Sequence, residues 1–218
     1  MRTIIIGCGY VGLPLGALLA SRGHTVFGIR RNQEADRELL AKKITPVQAD
    51  ITDPDQLASI EPSFDVVINL VSSSKGGLDD YRRVYLEGTK NILRWLSKSP
   101  PRVYLYTSST SVYAQADGSW VDESSPAEPD SPTSQVLIDT ERELIAAHRA
   151  NSFPAMILPA SGIYGSERGH LFKQFLKGEA TIRDDGTSWI NMIHVDDLAA
   201  AIAHLIDHGQ PGEIYNAT

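Results

Sequence analysis

Short apolar runs alternate with stretches of helical period through the first half of the chain. Residues 3–6 read as a buried strand and 11–21 as a helix, with Arg22-Gly23-His24 as its stop. A second strand is expected over 25–30, a helix over 33–43 and a short third strand over 45–48. Asp53 followed by Pro54 predicts a helix start, so 54–60 read as helical. A fourth strand is expected over 65–71, a long amphipathic helix over 79–97 and a fifth strand over 102–107. Strands buried on both faces read as unbroken aliphatic runs, and Ile4-Ile5-Ile6 and Val66-Val67-Ile68 do so. This β-α-β-α order requires a parallel sheet with helices on both faces.

The second half is less regular. Residues 116–132 are rich in Ser, Pro, Asp and Glu and read as a surface loop. Helices are expected over 134–150, 170–177 and 195–208, and strands over 155–158 and 213–216. Residues 162–169 are turn-rich, and 181–193 read as two short strands around Asp184-Asp185-Gly186. The chain stops at Ala217-Thr218 just after a strand, which suggests that native sequence continues past it. The expected division is a dinucleotide-binding unit over 1–158 and a mixed segment over 159–218. That segment carries substrate-side elements with the last helix and strand.

Composition narrows the field. The 218 residues are 42% hydrophobic and 22% charged, enough apolar content for a core. Net charge is −7 and no Lys/Arg run offers a footprint for phosphate backbones, so no nucleic-acid partner is expected. The N-terminal apolar run is too short for a signal peptide, and no run approaches a membrane span. A single cysteine, Cys8, excludes an internal disulfide and fits a cytoplasmic setting. No metal is expected, the reading being that the sequence offers no His pair at ligand spacing.

Gly7-Cys8-Gly9-Tyr10-Val11-Gly12 is a GxGxxG pattern between a predicted strand and a predicted helix. Gly7 permits the tight turn, Gly9 lets backbone amides approach a pyrophosphate, and Gly12 lets the helix lie close to its strand. The helix start offers free N–H groups through Tyr10 and Val11. An ordinary glycine-rich turn is the alternative. Sites that prefer NAD usually carry an acidic residue at the end of the second strand. This chain has Arg30 and then Arg31, and a guanidinium grips a 2′-phosphate that a carboxylate repels. NADP(H) is therefore expected over NAD(H), against two merely solvated arginines. Asp50 could meet the adenine amino group or serve only as a cap.

Further segments are similar to one family. Asp65-Val66-Val67-Ile68-Asn69-Leu70-Val71 resembles its fourth strand, which places Leu70, Val71 and Ser72 beside the cofactor. Gly88-Thr89-Lys90-Asn91-Ile92-Leu93 resembles its "GT-x-N" helix, and Thr107-Ser108-Ser109-Thr110-Ser111-Val112-Tyr113 its "SS-x-x-VYG" segment. Gly162-Ile163-Tyr164-Gly165 and Ile193-His194-Val195-Asp196-Asp197-Leu198-Ala199 match later landmarks. In order and over almost the whole chain, these resemble the NAD-dependent epimerase/dehydratase family, the extended short-chain dehydrogenase/reductases. The resemblance implies an α/β doubly wound parallel sheet of Rossmann type with a small C-terminal substrate-side subdomain.

The resemblance also implies a Tyr-x-x-x-Lys pair, in which Tyr exchanges a proton and Lys lowers its pKa. No such pair occurs anywhere in this chain. Aligned on Glu141, Ser134 stands for the Tyr and Ile138 for the Lys. Tyr85 stands for a usual Asn, Pro159 for a usual Arg, and Thr110-Ser111 for the Asp-Glu of dehydratases. Ser109 alone remains of the usual set, as in an atypical branch with the cofactor fold kept. Serine has no accessible pKa near neutrality without an adjacent base, so Ser134 is no simple substitute. Tyr113 is the candidate proton carrier, or else packing. Tyr164 and Ser73, within Ser72-Ser73-Ser74, are substrate candidates, and His194 reads as a cap near Asp196 and Asp197. Helices 79–97 and 134–150 could pair subunits, so homodimer and monomer stay open. Two functions compete. One is an oxidoreductase or epimerase-like enzyme for a small polar, nucleotide-sugar-like substrate. The other is a catalytically silent NADP(H)-binding module that senses redox state or holds a partner.

Overall fold

A computed structural model describes residues 1–218 apart from 74, 75, 167, 182–185, 187 and 188. The chain runs β1 (Arg2–Ile6), α1 (Gly12–Ser21), β2 (Thr25–Arg30), a 3-10 turn (Gln33–Ala35), α2 (Asp36–Ala41), β3 (Ile44–Gln48), α3 (Pro54–Ala58) and β4 (Val66–Asn69). It continues through α4 (Leu78–Tyr81), a π-helical segment (Arg82–Glu87), α5 (Gly88–Leu96), β5 (Val103–Ser109), a 3-10 turn (Thr110–Val112), α6 (Pro132–Asn151) and β6 (Ala155–Ala160). Last come β7 (Gly162–Tyr164), α7 (His170–Leu176), β8 (Met192–His194) and α8 (Val195–His208).

Six parallel strands lie in the order β3-β2-β1-β4-β5-β6. The order reverses between β1 and β4, where doubly wound sheets open a crevice at the strands' carboxyl ends. Both faces are covered. Leu15, Leu19, Leu39, Leu198 and Ile202, from α1, α2 and α8, close one face over Ile5 and Ile68. Leu57, Ile92, Leu96 and Leu144, from α3, α5 and α6, close the other over Ile4, Val67 and Tyr104. That is why Ile4-Ile5-Ile6 of β1 and Val66-Val67-Ile68 of β4 are aliphatic without alternation. Among the described residues, no helix is long and apolar enough to cross a membrane.

Three departures from the sequence expectation have physical reasons. The expected helix over 79–97 is interrupted by the π segment, a widened turn that re-aims the side chains ahead of α5. Residues 213–216 do not form a seventh strand. This end of the chain bridges β6 singly, at Ile157–Ile214 and Ala160–Ala217. Ile157, Tyr215 and Ala217 donate across this edge, but Pro159 has no N–H to continue the ladder. Residues 162–164, expected as turn, pair as β7 with β8 in a small parallel sheet. The other strand expected over 181–193 falls largely on positions outside the described residues.

Candidate functional site

Two clefts open side by side over the carboxyl ends of the strands and share Gly7, Gly9, Leu70, Val71 and Ser72. The first, about 540 Å³, extends across β2 and β3 to Arg30, Arg31, Asn32 and Asp50. The second, about 330 Å³, extends over β5 and β6 to Tyr85, Ser108, Ser109, Leu137, Ser161 and Arg168.

The glycine loop forms their common wall. Gly7 lies at φ +79°, and a Cβ there would stand 2.8 Å from the Leu70 carbonyl oxygen. A side chain is thus excluded by both conformation and space. At Gly9 a Cβ would sit in ordinary contact with the Arg30 guanidinium at 3.7 Å and the Gly7 carbonyl oxygen at 3.8 Å, so no clash excludes one. Gly7 and Cys8 donate to Ile29, and Gly9 to Gly7. The amides of Tyr10, Val11 and Gly12 have no acceptor among the described residues, and α1 begins without a side-chain cap. Bare amides at a helix start can receive a diphosphate. The residues present therefore fit a dinucleotide.

Arg30 is anchored to this loop. Its Nε donates to the Cys8 carbonyl at 2.6 Å, and a terminal nitrogen lies 3.8 Å from the half-exposed Glu38 carboxylate. Cys8 itself is fully buried, and burial pushes its thiol up to about 12, so it is no nucleophile. Asp50 spends one carboxylate oxygen on the backbone and hydroxyl of Thr52. The other oxygen has no partner among the described residues.

In the second cleft, Ser109 Oγ accepts from the Ser111 amide at 3.2 Å, which leaves its own proton free. Beside it Ser108, 7% exposed, donates from Oγ to Glu141 Oε1 at 2.5 Å. The Thr107 hydroxyl and that of Ser161, 4% exposed, have no partner among the described residues. Tyr85 accepts from the Ser73 amide, and burial pushes its hydroxyl above the ordinary phenol range despite that donor. Arg168 stands over the Tyr10 ring at 5.0 Å, and Tyr10 donates to the Ser166 carbonyl.

Several expected residues lie elsewhere. Tyr113 lines neither cleft, and its hydroxyl donates to Asn216 Oδ1 at 3.0 Å. Ser73 lines neither cleft, since its hydroxyl donates to Asp80 and accepts from Gly76. Ser74 is outside the described residues. Tyr164, 41% exposed, packs edge-on against His194, and His194 caps α8 by accepting from Asp196. Ser134 is buried and bonded to Asp130 and Ser131, while Ile138 sits in a small apolar cluster with Val112. Leu137, one residue earlier, is the α6 side chain that reaches the cleft. His204 and His208 do form a pair one turn apart, with ring centroids 4.4 Å apart, which corrects the expectation of no such spacing. No group of three metal-ligating side chains occurs among the described residues. The residues not foreseen are Tyr81, Tyr85, Ser108, Leu137, Glu141, Ser161 and Arg168. Of these, Ser108 carried a local signal in its place beside Ser109, and Tyr85 stood at the position of a usual Asn.

The fold and its crevice define a doubly wound α/β protein of the Rossmann class. The chain belongs to the NAD-dependent epimerase/dehydratase family, whose model matches residues 3–218. Protein YeeZ of Escherichia coli K12 is 28% identical over 221 residues, covering 99% of this chain and 76% of the relative. A solved protein from Methylobacillus flagellatus, described as an NAD-dependent epimerase/dehydratase, is 32% identical with a TM-score of 0.80, covering all of this chain and 75% of that one. The dTDP-glucose 4,6-dehydratase DesIV of Streptomyces venezuelae, solved with NAD, shares the fold with a TM-score of 0.85 at 22% identity, covering 99% of this chain and 75% of that one.

Proposed function

We propose that this chain is a nicotinamide-dinucleotide-dependent oxidoreductase or epimerase-like enzyme for a small polar substrate of nucleotide-sugar type, with NADP(H) preferred over NAD(H). The continuity of the two clefts through the glycine loop carries this assignment. An adenosine end fits beside Arg30, Arg31 and Asp50. The diphosphate fits the bare amides of Tyr10, Val11 and Gly12, with Leu70, Val71 and Ser72 beyond it. When bound, the nicotinamide supplies hydride exchange with a carbinol carbon. Ser109, with its hydroxyl proton free, orients the substrate oxygen. The substrate class draws on the dTDP-glucose dehydratase among the structural neighbours.

Arg30 replaces the acidic residue that favours an unphosphorylated ribose, which supports NADP(H). A second proposal, a silent NADP(H)-binding sensor or scaffold, draws on the missing Tyr-Lys pair and on the Tyr113 hydroxyl being committed to Asn216. Calorimetry with NADPH and NADH, followed by a panel of nucleotide sugars and simple alcohols read at the reduced-cofactor absorbance, tests both. Turnover abolished by Ser109→Ala supports the enzyme. Tight NADPH binding with uniform silence supports the sensor. Binding of neither nucleotide at millimolar concentration overturns both.

A further inference from the structure

The second cleft lacks the family's Tyr-Lys pair, yet one buried carboxylate lies behind its wall, bonded to the lining residue Ser108. Glu141 is 5% exposed and points from α6 toward β5, where it accepts from Ser108. Among the described residues no Lys or Arg pairs with it. The carboxylate is not there to neutralise a structural cation, and its recorded partner is a serine on the cleft wall. A buried acid without a counter-charge is costly to keep ionised. It is retained here against a serine that lines the cleft. Two further hydroxyls of the same cleft, Thr107 and Ser161, also have no partner among the described residues. Buried polar groups are ordinarily satisfied, so such hydroxyls point to a polar ligand.

We propose that Ser108 and Glu141 form the proton-transfer unit of this protein, with Ser108 touching the substrate oxygen and Glu141 acting through it as the base. This inference rests on the redox assignment above. In the oxidative direction the carbinol C–H bond breaks and its hydrogen leaves with two electrons to an oxidised pyridine nucleotide. The substrate O–H bond breaks at the same time. Its proton passes to Ser108 Oγ as the Ser108 proton passes to Glu141, and a carbonyl forms. The reverse sequence reduces a carbonyl. A serine needs an adjacent base for this work, and of the serines on this cleft wall Ser108 is the one bonded to a carboxylate.

Glu141 is suited to the role near neutrality. Burial pushes its carboxyl up to about 7, partly offset by the Ser108 hydrogen bond. The titratable groups that face it are Tyr106 of β5 and Tyr113 beyond the adjoining 3-10 turn. Burial raises both, so neither competes in that range. On α6 itself the nearest charged neighbours, Asp139, Arg142 and Glu143, are directed to one another or to Lys90.

The test uses the full chain with NADP+ and the alcohol that turns over best. Ser108→Ala and Glu141→Gln should each lower kcat by about 100-fold with KM little changed, the low end of general acid–base catalysis. Glu141→Gln should flatten the pH–rate profile near neutrality, and Glu141→Asp and Ser108→Thr should restore part of the rate. Isotope-edited infrared spectroscopy of the cofactor-free protein reads the carboxyl directly. A Glu band titrating near neutrality should be present in the parent, absent in Glu141→Gln and shifted to higher pH in Ser108→Ala. Full activity and an unchanged pH profile in Ser108→Ala and Glu141→Gln, alongside loss in Ser109→Ala, would overturn this unit and leave the redox assignment standing. Absence of turnover by the parent on every alcohol would sink the redox assignment, and this inference with it.

Discussion

Arg30 Nε donates to the Cys8 carbonyl at 2.6 Å, which fastens the end of β2 to the glycine loop that follows β1. The guanidinium is therefore both a brace of the loop and the positive charge at the outer end of the first cleft. Its remaining nitrogens must choose between Glu38, 3.8 Å away, and a ligand phosphate. An exposed ion pair at that distance contributes little, whereas a phosphate offers charge-assisted bonds.

Replacing this group tests cofactor choice. Arg30→Asp should weaken NADPH binding by at least tenfold, the scale of one charged hydrogen bond, and spare or improve NADH binding. Calorimetry with both nucleotides checks it, with NADH as the control for an intact loop. Equal affinities of mutant and parent for both nucleotides would contradict the expectation.

Gly7→Ala should damage the fold and the site together. At φ +79° an added Cβ is strained, and it would lie 2.8 Å from the Leu70 carbonyl oxygen. A loss of about 2–3 kcal/mol in stability is expected, with dinucleotide binding reduced. Denaturant unfolding in urea measures the first effect and calorimetry the second.

Stability should depend on pH through Glu141. Its carboxyl is raised in the folded state from 4.5 to about 7. Below pH 4.5 both states hold the proton, so the carboxyl imposes no penalty. As pH climbs from 4.5 to about 7 the unfolded chain sheds the proton and the folded chain keeps it, so stability falls, then levels off. The total is about 3 kcal/mol. Unfolding midpoints across this window should decline in the parent and be flatter in Glu141→Gln.

Tyr113→Phe separates packing from chemistry. The hydroxyl bonds Asn216 across 103 residues, and its loss should cost about 1 kcal/mol of stability. If Tyr113 only packs, kcat stays within twofold of the parent. A fall of a hundredfold would reinstate it as the proton carrier.

Local chemistry made much of the fold legible. The helix at 195–208 was read to the residue, because His194 caps it and its apolar positions keep one period. The break at 82–87 was not legible, since Arg82–Glu87 carries no glycine or proline to announce it. Nor was the missing seventh strand. Ile214 and Tyr215 look like a strand, and only the proline opposite interrupts their ladder. Ser109 was legible as a candidate from its motif, and it lies on the wall of the second cleft. Glu141 carries no such signal, because its serine partner is 33 residues away.

Taken alone, the chain of residues determined the alternation of strands and helices, the glycine turn and the arginine that follows the second strand. All of these act over a few residues, through period and backbone conformation. The tertiary structure decided which serine meets a carboxylate and which tyrosine is spent on an asparagine. Ser108 and Glu141 are 33 residues apart, and Tyr113 and Asn216 are 103. Strand order and helix docking bring such pairs together, and no pattern of neighbours along the chain encodes those distances.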